Sequence, residues 1–233
     1  MNGNHSMRID LHCHTEASPD CITPLALIAD RCRQQGIDVL AITDHNLIKG
    51  AVQLRQMVSE SEDPEIRKIN IIIGEEISTN QGELIGLFLE EKVPFDLSPE
   101  ETVREVHEQG GLVLLPHGFD PLKRWRLQPE ARFRIREKID IVETFNTRVS
   151  REIWNEAAAN WARENDRIMS AGSDAHTLAD IGTAFVKSPV HGVSTPEDLL
   201  NALAAGEPQG IWTHPVLAYV FKQWDRLKRR LAA

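Results

Sequence analysis

Residues 8–14 read RIDLHCH, an apolar strand-like run that ends in two histidines one residue apart. Side chains on a strand alternate between its two faces, so His12 and His14 share one face and Cys13 takes the other. Neighbouring imidazoles at a strand tip can chelate a transition metal. This stretch therefore predicts a metal-binding strand end, with Cys13 turned away from it as a small buried side chain.

Polar endings of the same kind follow strand-like runs along most of the chain. The runs cover residues 39–43, 69–73, 112–115, 139–142 and 168–172. The polar residues after them are, in chain order, Asp44 and His45, Glu75 and Glu76, His117, residues 143–146, and Asp174 and His176. In a parallel α/β barrel the carboxyl ends of the strands share one face, and that face holds the active site. The pattern predicts a single polar site at one rim of such a barrel.

Helical segments separate these strands, as expected for parallel βα units. The predicted helices are bounded by Thr23-Pro24 and Gly36, by residues 49 and 60, by Ser98 and Gly110, by residues 150 and 165, and by Thr195 and Gly206. Ser98, followed three residues later by Glu101, is the signature of a capping box. The fourth helix has an apolar side made of Ile153, Trp154, Ala157 and Trp161.

The composition limits the class of protein. The chain has 233 residues, three cysteines and a formal net charge of −9. An acidic surface disfavours binding to long nucleic acids, whereas a small anionic substrate is compatible because bound metal ions reverse the local potential. No apolar run approaches the ~20 residues that span a bilayer. We therefore expect a cytoplasmic protein without a membrane partner, in which residues 1–6 form a loose tail without a secretory signal.

The end of the chain has a different character. An apolar stripe at helical spacing consists of Val216, Leu217, Val220, Phe221, Trp224, Leu227 and Leu231, and basic residues cover the other side. This pattern predicts an amphipathic basic helix within a C-terminal extension over residues 207–233. Docking of that helix on the barrel is the first interpretation, and a homodimer contact through it is the alternative.

Together, the strand-end segments resemble the PHP family (polymerase and histidinol phosphatase), a set of metal-dependent phosphoesterases. The matching segments are DLHCH at 10–14, the following Asp20, ITDH at 42–45, GEE at 74–76, LPH at 115–117, ETFN at 143–146 and GSDAH at 172–176. The resemblance covers the chain up to about Gly206. It implies a distorted (β/α)7 TIM-like barrel over residues 7–206, with two or three divalent ions (Mn, Fe or Zn, with Mg an alternative) at the strand ends.

The resemblance also implies a set of ligands. One metal would be held by His12, His14, Glu76 and Asp174, a second by Glu76 and His117, and a third by Asp20, His45 and His176. Glu75 is the rival of Glu76 for the bridging position. We prefer Glu76 because the family's bridging glutamate lies two residues after the strand-end glycine, which here is Gly74.

One position departs from the family pattern. Some relatives have a histidine at the second metal where this chain has Glu83. A carboxylate could still coordinate there, and as a harder donor than imidazole it would shift the preference from Zn towards Mn, Fe or Mg. The alternative is that Glu83 is a loop carboxylate at a strand entrance.

The chemistry of phosphate esters explains why such a site would need several metals. Uncatalysed hydrolysis of phosphate monoesters requires accelerations of up to ~10²¹, and one general acid or base supplies only ~10²–10⁴. We therefore predict a metal-dependent phosphatase of a small phosphorylated metabolite or nucleotide, with a metal-bridging hydroxide as nucleophile. The alternatives are a 3′–5′ exonuclease or phosphodiesterase on short oligonucleotides and a non-catalytic PHP regulatory domain.

Other residues near the strand ends are candidates for positioning and substrate binding. Asp44 precedes a ligand and is expected to orient its neighbours. Arg148 is the leading candidate for binding phosphate, since guanidinium binds phosphate bidentately. Further along the loop after His117, Lys123, Arg124 and Arg126 could bind phosphate or be solvated surface charges, and Trp125 could stack on a base, close a lid or simply pack.

Overall fold

The structure is a computed structural model that describes residues 6–214 together with Val216, Val220 and Gln223. Its strands are β1 (Met7–Cys13), β2 (Val39–Ile42), β3 (Asn70–Thr79), β4 (Gly82–Leu87), β5 (Leu112–Leu115), β6 (Ile141–Asn146), β7 (Ile168–Gly172), β8 (Ala184–Ser188) and β9 (Glu207–Gly210). Its helices are α1 (Leu25–Gln35), α2 (Lys49–Glu60), α3 (Pro99–Glu108), α4 (Pro129–Ile135), α5 (Ile153–Glu164) and α6 (Pro196–Ala204). Two short 3₁₀ helices lie at Ile66–Lys68 and Arg136–Lys138.

Local sequence signals set some of the helix ends. The predicted capping box is confirmed, because the Glu101 N–H donates to Ser98 Oγ and the Ser98 N–H donates to the Glu101 carboxylate. Gly36 ends α1 in a left-handed conformation with φ of 64°. The start of α1 differs from the prediction, because Pro24 rather than Thr23 holds the N-cap position and supplies no side-chain acceptor.

The strands form one sheet in the order β7-β6-β5-β4-β3-β2-β1-β8-β9. Four neighbouring pairs are parallel, whereas β4 and β8 each run antiparallel to both of their neighbours. The sheet curls until the carboxyl ends of β7 and β1 meet, where the Asp174 N–H donates to the His12 carbonyl at 2.8 Å. The predicted distorted α/β barrel is therefore confirmed as a nearly closed, barrel-like sheet. The antiparallel β4 and β8 are its departure from a uniform βα repeat.

Two apolar clusters lie on the two sides of this sheet. One joins strand residues such as Ile42 and Leu115 to α1–α5, and it includes Cys13, as predicted. The other joins residues such as Ile9 and Leu11 to α6. Leu11 and Cys13 belong to different clusters because the register of β1 against β2 shifts between Asp10 and Cys13. A second shift lies in β6 between Glu143 and Phe145. Bulges of this kind re-aim side chains near active sites.

The buried face of α5 differs from the predicted apolar side. Asn155, Ala158 and Ala162 are buried, whereas Ile153 is exposed. The small alanines allow α5 to lie close against the sheet. Asn155 is held by a two-way hydrogen bond to the backbone of Asn146, with distances of 3.0 and 3.1 Å. Buried polar groups need such partners, and the pairing with β6 satisfies Asn155 on the inward side of α5.

The predicted bounds of the barrel domain, residues 7 and 206, stay predictions. Residue 206 precedes β9, which pairs with β8 and extends the same sheet. The predicted C-terminal helix and its homodimer contact lie outside the described residues, except at three positions. Within the described part of the chain, none of the helices has both the length and the apolar character needed to cross a bilayer.

Candidate metal centre

The predicted ligands converge at the carboxyl ends of the strands. Four groups of three residues have ligand atoms within 4.8 Å of one another. The groups are His12, His14 and Asp174; His12, Glu76 and His117; His14, His45 and His176; and His45, Glu76 and Glu83. The groups share members, so they form one continuous centre. Glu83 belongs to it because β4 folds back on β3 and returns this carboxylate to the side of Glu76.

The carboxylate of Glu76 lies in the middle of this centre. Its Oε2 atom is 3.3 Å from His14 Nε2 and 3.2 Å from His45 Nδ1. Its Oε1 atom is 3.0 Å from His117 Nε2. The rival residue Glu75 faces away and accepts a hydrogen bond from the Val93 N–H at 2.9 Å. Glu76 is therefore the member of the pair that is placed to bridge ions.

Asp174 approaches the same centre from the end of β7. Its Oδ1 atom lies 3.8 Å from His12 Nε2 and 3.6 Å from His14 Nε2. Both Asp174 and His117 have positive φ angles, 50° and 22°. Strained backbone at non-glycine residues concentrates at functional sites. The backbone of these two residues thus takes an uncommon conformation beside the other candidate ligands.

A third part of the centre opens towards solvent. His176 Nε2 lies 2.8 Å from Asp20 Oδ2, and His45 Nε2 lies 3.7 Å from Asp20 Oδ1. The side chain of Asp20 is 48% exposed, whereas that of His176 is buried. Asp20 is the predicted ligand that lies outside the four groups. It therefore reaches the centre only from its rim.

The hydrogen bonds of the histidines leave unshared electron pairs that face the centre. His12 Nδ1 pairs with Glu143 Oε1 at 3.0 Å, and His176 Nδ1 donates to the Asp174 carbonyl at 2.8 Å. Each Nε2 atom is then an acceptor. His12 Nε2 nevertheless lies only 3.1 Å from His14 Nε2, and His176 Nε2 lies beside the Asp20 carboxylate. When these imidazoles are neutral, their Nε2 acceptors repel one another unless a proton or a metal ion is shared between them, so this donor set fits divalent metal ions.

The charges of the centre reinforce this fit. Burial raises the pKa of Glu76, but the charge of His12 and hydrogen bonds from the surrounding histidines hold it well below its ordinary value. Burial lowers the pKa of His12, but the carboxylates of Glu143, Glu76 and Asp174 raise it well above its ordinary value. The centre therefore draws positive charge towards its middle.

The pKa values of Glu83 and His176 are shifted towards the neutral forms of both side chains. Burial and the charge of Glu76 raise the pKa of Glu83 to about 10. Burial and the neighbouring His14 lower the pKa of His176 to about 4, so this imidazole is neutral at pH 7. A bound cation would favour the ionised carboxylate and use the neutral imidazole as a ligand.

Glu143 contacts the centre, although its place in the ETFN motif gave it no predicted role. Its carboxylate holds His12 Nδ1 and also accepts the His117 N–H at 2.7 Å. Gly172 leaves room for it, since a Cβ there would lie 2.2 Å from Glu143 Oε1. Its place at a strand end was a usable signal. Its pairing with a histidine 131 residues away was not visible in the sequence.

Replacement of Glu143 by Gln should weaken the metal centre without unfolding the protein. The amide keeps the volume but removes the charge that orients His12, and partners of metal-bound histidines are worth about 10–100-fold in metal affinity or activity. We expect a loss of that size in manganese affinity, measured by titration of the metal-free protein. A Glu143→Gln variant that binds manganese as tightly as the wild type would contradict this role.

Asp44 lies one step behind the centre. Its carboxylate is fully buried and accepts hydrogen bonds from the Thr15 N–H at 2.7 Å and from Ser18 Oγ at 2.8 Å. Ser18 Oγ in turn lies 3.3 Å from His14 Nδ1 and accepts the His45 N–H at 3.1 Å. This arrangement fits the predicted orienting role of Asp44.

The predicted cations are distributed unevenly around the centre. Lys123 Nζ lies 2.7 Å from Asp174 Oδ2, so it is the cation that touches a candidate ligand. Arg148 lies 3.7 Å from Asp180 and is partly buried at the same rim. Burial raises the pKa of Asp174, but Lys123, then the histidines, and then Arg148 hold it well below its ordinary value. Arg124 instead stacks over Trp125, with its guanidinium carbon 4.8 Å from the ring centroid.

Comparison with known families identifies the same motifs. Residues 10–124 match the model of the PHP domain, and residues 152–208 match the model described as PHP-associated. An uncharacterized protein of Methanocaldococcus jannaschii is 36% identical over 200 residues, which are 83% of this chain and 75% of that protein.

Two further relatives differ in how much they share with the chain. The 5′-3′ exoribonuclease Rnm of Escherichia coli is 40% identical over 76 residues, which are 33% of this chain and only 24% of the enzyme. A two-domain protein of Bacteroides vulgatus, described as containing a predicted PHP-like metal-dependent phosphoesterase, superposes with a TM-score of 0.66 at 16% identity. The match covers 89% of this chain and 65% of that one. At that identity the likeness concerns the fold alone.

Proposed function

The chain belongs to the PHP family of metal-dependent phosphoesterases, and we propose that within this family it removes the phosphoryl group from a small phosphorylated metabolite or nucleotide. The observation that carries the proposal is the pairing of a buried centre of imidazoles and carboxylates with two cations at its edge. Lys123 and Arg148 come from different loops and both influence Asp174. That set can surround one phosphoryl group.

The chain's own residues divide the work around that group. Divalent ions held by the centre would lower the pKa of a coordinated water and neutralise charge on the reacting phosphate. Lys123 and Arg148 bind phosphoryl oxygens that face away from the histidines. Glu143 and Ser18 hold the imidazoles of His12 and His14 in place. Preorganisation of this kind avoids rearrangement during the reaction.

The composition of the centre also supports a proposal about its ions. Two or three divalent ions fit the predicted ligands His12, His14, Asp20, His45, Glu76, Glu83, His117, Asp174 and His176. The presence of Glu83 among the histidines favours Mn, Fe or Mg over Zn, because carboxylates are harder donors than imidazoles. Metal analysis of the purified protein tests this preference.

Phosphate release tests the phosphatase proposal. The protein is reconstituted with manganese and assayed on a panel of phosphate monoesters that includes nucleotides and sugar phosphates. We expect release of inorganic phosphate from at least one small monoester, and no release after chelation. A loaded protein that hydrolyses no monoester on the panel would overturn the proposal.

Replacement of Arg148 by Ala should weaken substrate binding more than turnover. The guanidinium lies at the rim, where it contacts Asp180 rather than the candidate ligands. An interaction made equally in the ground state and the transition state affects KM alone. We expect KM to rise roughly 10- to 150-fold, since a charge-assisted hydrogen bond is worth roughly 1.5–3 kcal/mol. An unchanged KM in steady-state kinetics would remove Arg148 from the substrate site.

A second candidate function is exonucleolytic cleavage of short RNA. It is favoured by the 76 residues shared with the 5′-3′ exoribonuclease of Escherichia coli. The net charge of −9 weighs against long nucleic-acid substrates. End-labelled oligoribonucleotides separate the two functions. Shortening of the oligomer from either end, without phosphate release from monoesters, would favour the nuclease.

A cytoplasmic location is also proposed. Cys13, Cys21 and Cys32 are free thiols, and all three are buried. Free cysteines of this kind suit a reducing compartment. Fractionation of cells that express the tagged protein tests this location.

A further inference from the structure

The loop of residues 118–128 leads from β5 to α4 and is tied to the metal centre at several points. The carboxylate of Asp120 accepts the Leu122 N–H at 2.9 Å and Ser150 Oγ at 2.7 Å. Lys123 Nζ reaches Asp174 at 2.7 Å. The Glu83 N–H donates to the Trp125 carbonyl at 2.8 Å. The side chain of Lys123 and the backbone of Trp125, on either side of Arg124, therefore contact residues of the centre.

This loop nevertheless exposes large apolar side chains. Trp125 is 53% exposed and Leu122 is 77% exposed. Scattered exposed aliphatic side chains need no explanation. A tryptophan is different, because its large ring gains most from burial and its face attracts cations and other π systems. Arg124 already lies against that ring.

We propose that Trp125, with Arg124 stacked on it, binds the base of a nucleoside monophosphate whose phosphate lies at Lys123 and the metal centre. The inference rests on the proposed phosphatase function and names its substrate class. Residues 123 and 125 lie at most about 7 Å apart along the chain, so a single nucleotide can reach both. Stacking accepts every base, because each has a π face.

The loop also explains how base and phosphate binding are coordinated. Asp120 connects residues 118–128 to the segment after β6 through Ser150. That segment carries Arg148. Trp125, Lys123 and Arg148 thus belong to two connected loops on the same rim. A nucleotide bound there would contact both loops at once.

Paired substrates test the proposal. Adenosine 5′-monophosphate carries a base and glycerol 3-phosphate does not, and both are assayed with the wild type and with Trp125→Ala. Base stacking is worth roughly 5- to 150-fold, so kcat/KM for the nucleotide should fall within that range. The value for glycerol 3-phosphate should change less than about two-fold, since uniform loss of catalysis would affect both substrates equally.

Further variants separate stacking from folding and from simple burial. Trp125→Phe keeps a π face and should retain most of the preference, whereas Trp125→Leu keeps apolar bulk and should lose it. Phe133→Ala is the matched control. Phe133 is also exposed, and the guanidinium carbon of Arg136 lies 4.3 Å from its ring centroid. Its substrate preference should equal that of the wild type. Quenching of tryptophan fluorescence by adenosine should disappear in Trp125→Leu.

The outcomes distinguish this inference from the function on which it rests. If the wild type releases phosphate from no monoester on the panel, the phosphatase proposal fails; if it hydrolyses other monoesters but not adenosine 5′-monophosphate, the phosphatase proposal stands and the base-binding inference is overturned. If it hydrolyses both paired substrates and the Trp125 variants leave their ratio unchanged, the phosphatase proposal stands and the base-binding inference is overturned. An effect of Trp125→Leu confined to a 5′-phosphorylated oligoribonucleotide would likewise overturn it, because RNA rather than a mononucleotide would then be the occupant.

Discussion

Replacement of Glu76 by Gln should abolish phosphoester hydrolysis while preserving the fold. The amide matches the carboxylate in size but lacks its negative charge. In the wild type, the Glu76 carboxylate oxygens lie 3.3 Å from His14 Nε2, 3.2 Å from His45 Nδ1 and 3.0 Å from His117 Nε2. We expect kcat/KM to fall at least ~10³-fold, equivalent to about 4 kcal/mol of transition-state stabilisation. Metal analysis should also show fewer bound ions per chain than in the wild type.

The neighbouring Glu75 supplies the matched control. It is buried like Glu76, but it faces the opposite side of β3 and contacts Val93. Glu75→Gln keeps an acceptor for the Val93 N–H and should retain both activity and metal content. Circular dichroism should show native secondary structure for both variants. Equal activity losses in the two variants would contradict the assignment of Glu76 to the centre.

Removal of metal should lower the melting temperature as well as abolish activity. Without cations, buried carboxylates and imidazole acceptors lie 3–4 Å apart, as His14 and Asp174 do at 3.6 Å. A ligand at 100 times its Kd stabilises the folded state by about 2.7 kcal/mol. For a chain of this size that is roughly 5–10 °C. Calorimetry of the chelated and the manganese-loaded protein measures the shift.

The same measurement on variants assigns the shift to this centre. Glu76→Gln, which should bind fewer ions, should show a smaller manganese-dependent shift than the wild type, whereas Glu75→Gln should shift as the wild type does. The non-catalytic PHP domain considered from the sequence would bind no ions. A wild-type melting temperature that is indifferent to both chelator and manganese would therefore revive that alternative.

Strand alternation made much of the centre predictable. It separated Glu76 from Glu75 in β3, and it predicted a common placement of His12 and His14, although a register shift in β1 between Asp10 and Cys13 interrupts the alternation there. The capping box at Ser98 was equally predictable from the sequence, because Ser98 and Glu101 lie three residues apart. These features depend on the geometry of one short segment, and a segment's geometry follows from its own residues.

Other features depended on contacts between distant segments. Glu143 meets His12 across 131 residues, and Lys123 meets Asp174 across 51. The apolar side predicted for α5 was wrong at Ile153, which is exposed, whereas Trp161 packs against the core, and the fully buried side carries the hydrogen-bonded Asn155. No periodic pattern records such pairings, because they are decided when strands and loops meet.

The sequence by itself therefore determined which residue types end each strand, and with them the barrel class and the candidate ligands. The tertiary structure decided the rest: the antiparallel return of β4 that places Glu83 beside Glu76, the bulges that aim β1 and β6, and the loop that brings Lys123 to Asp174. The physical reason is one of range. Alternation acts between adjacent residues, whereas register, bulges and loop anchoring arise from packing and hydrogen bonds between remote parts of the chain.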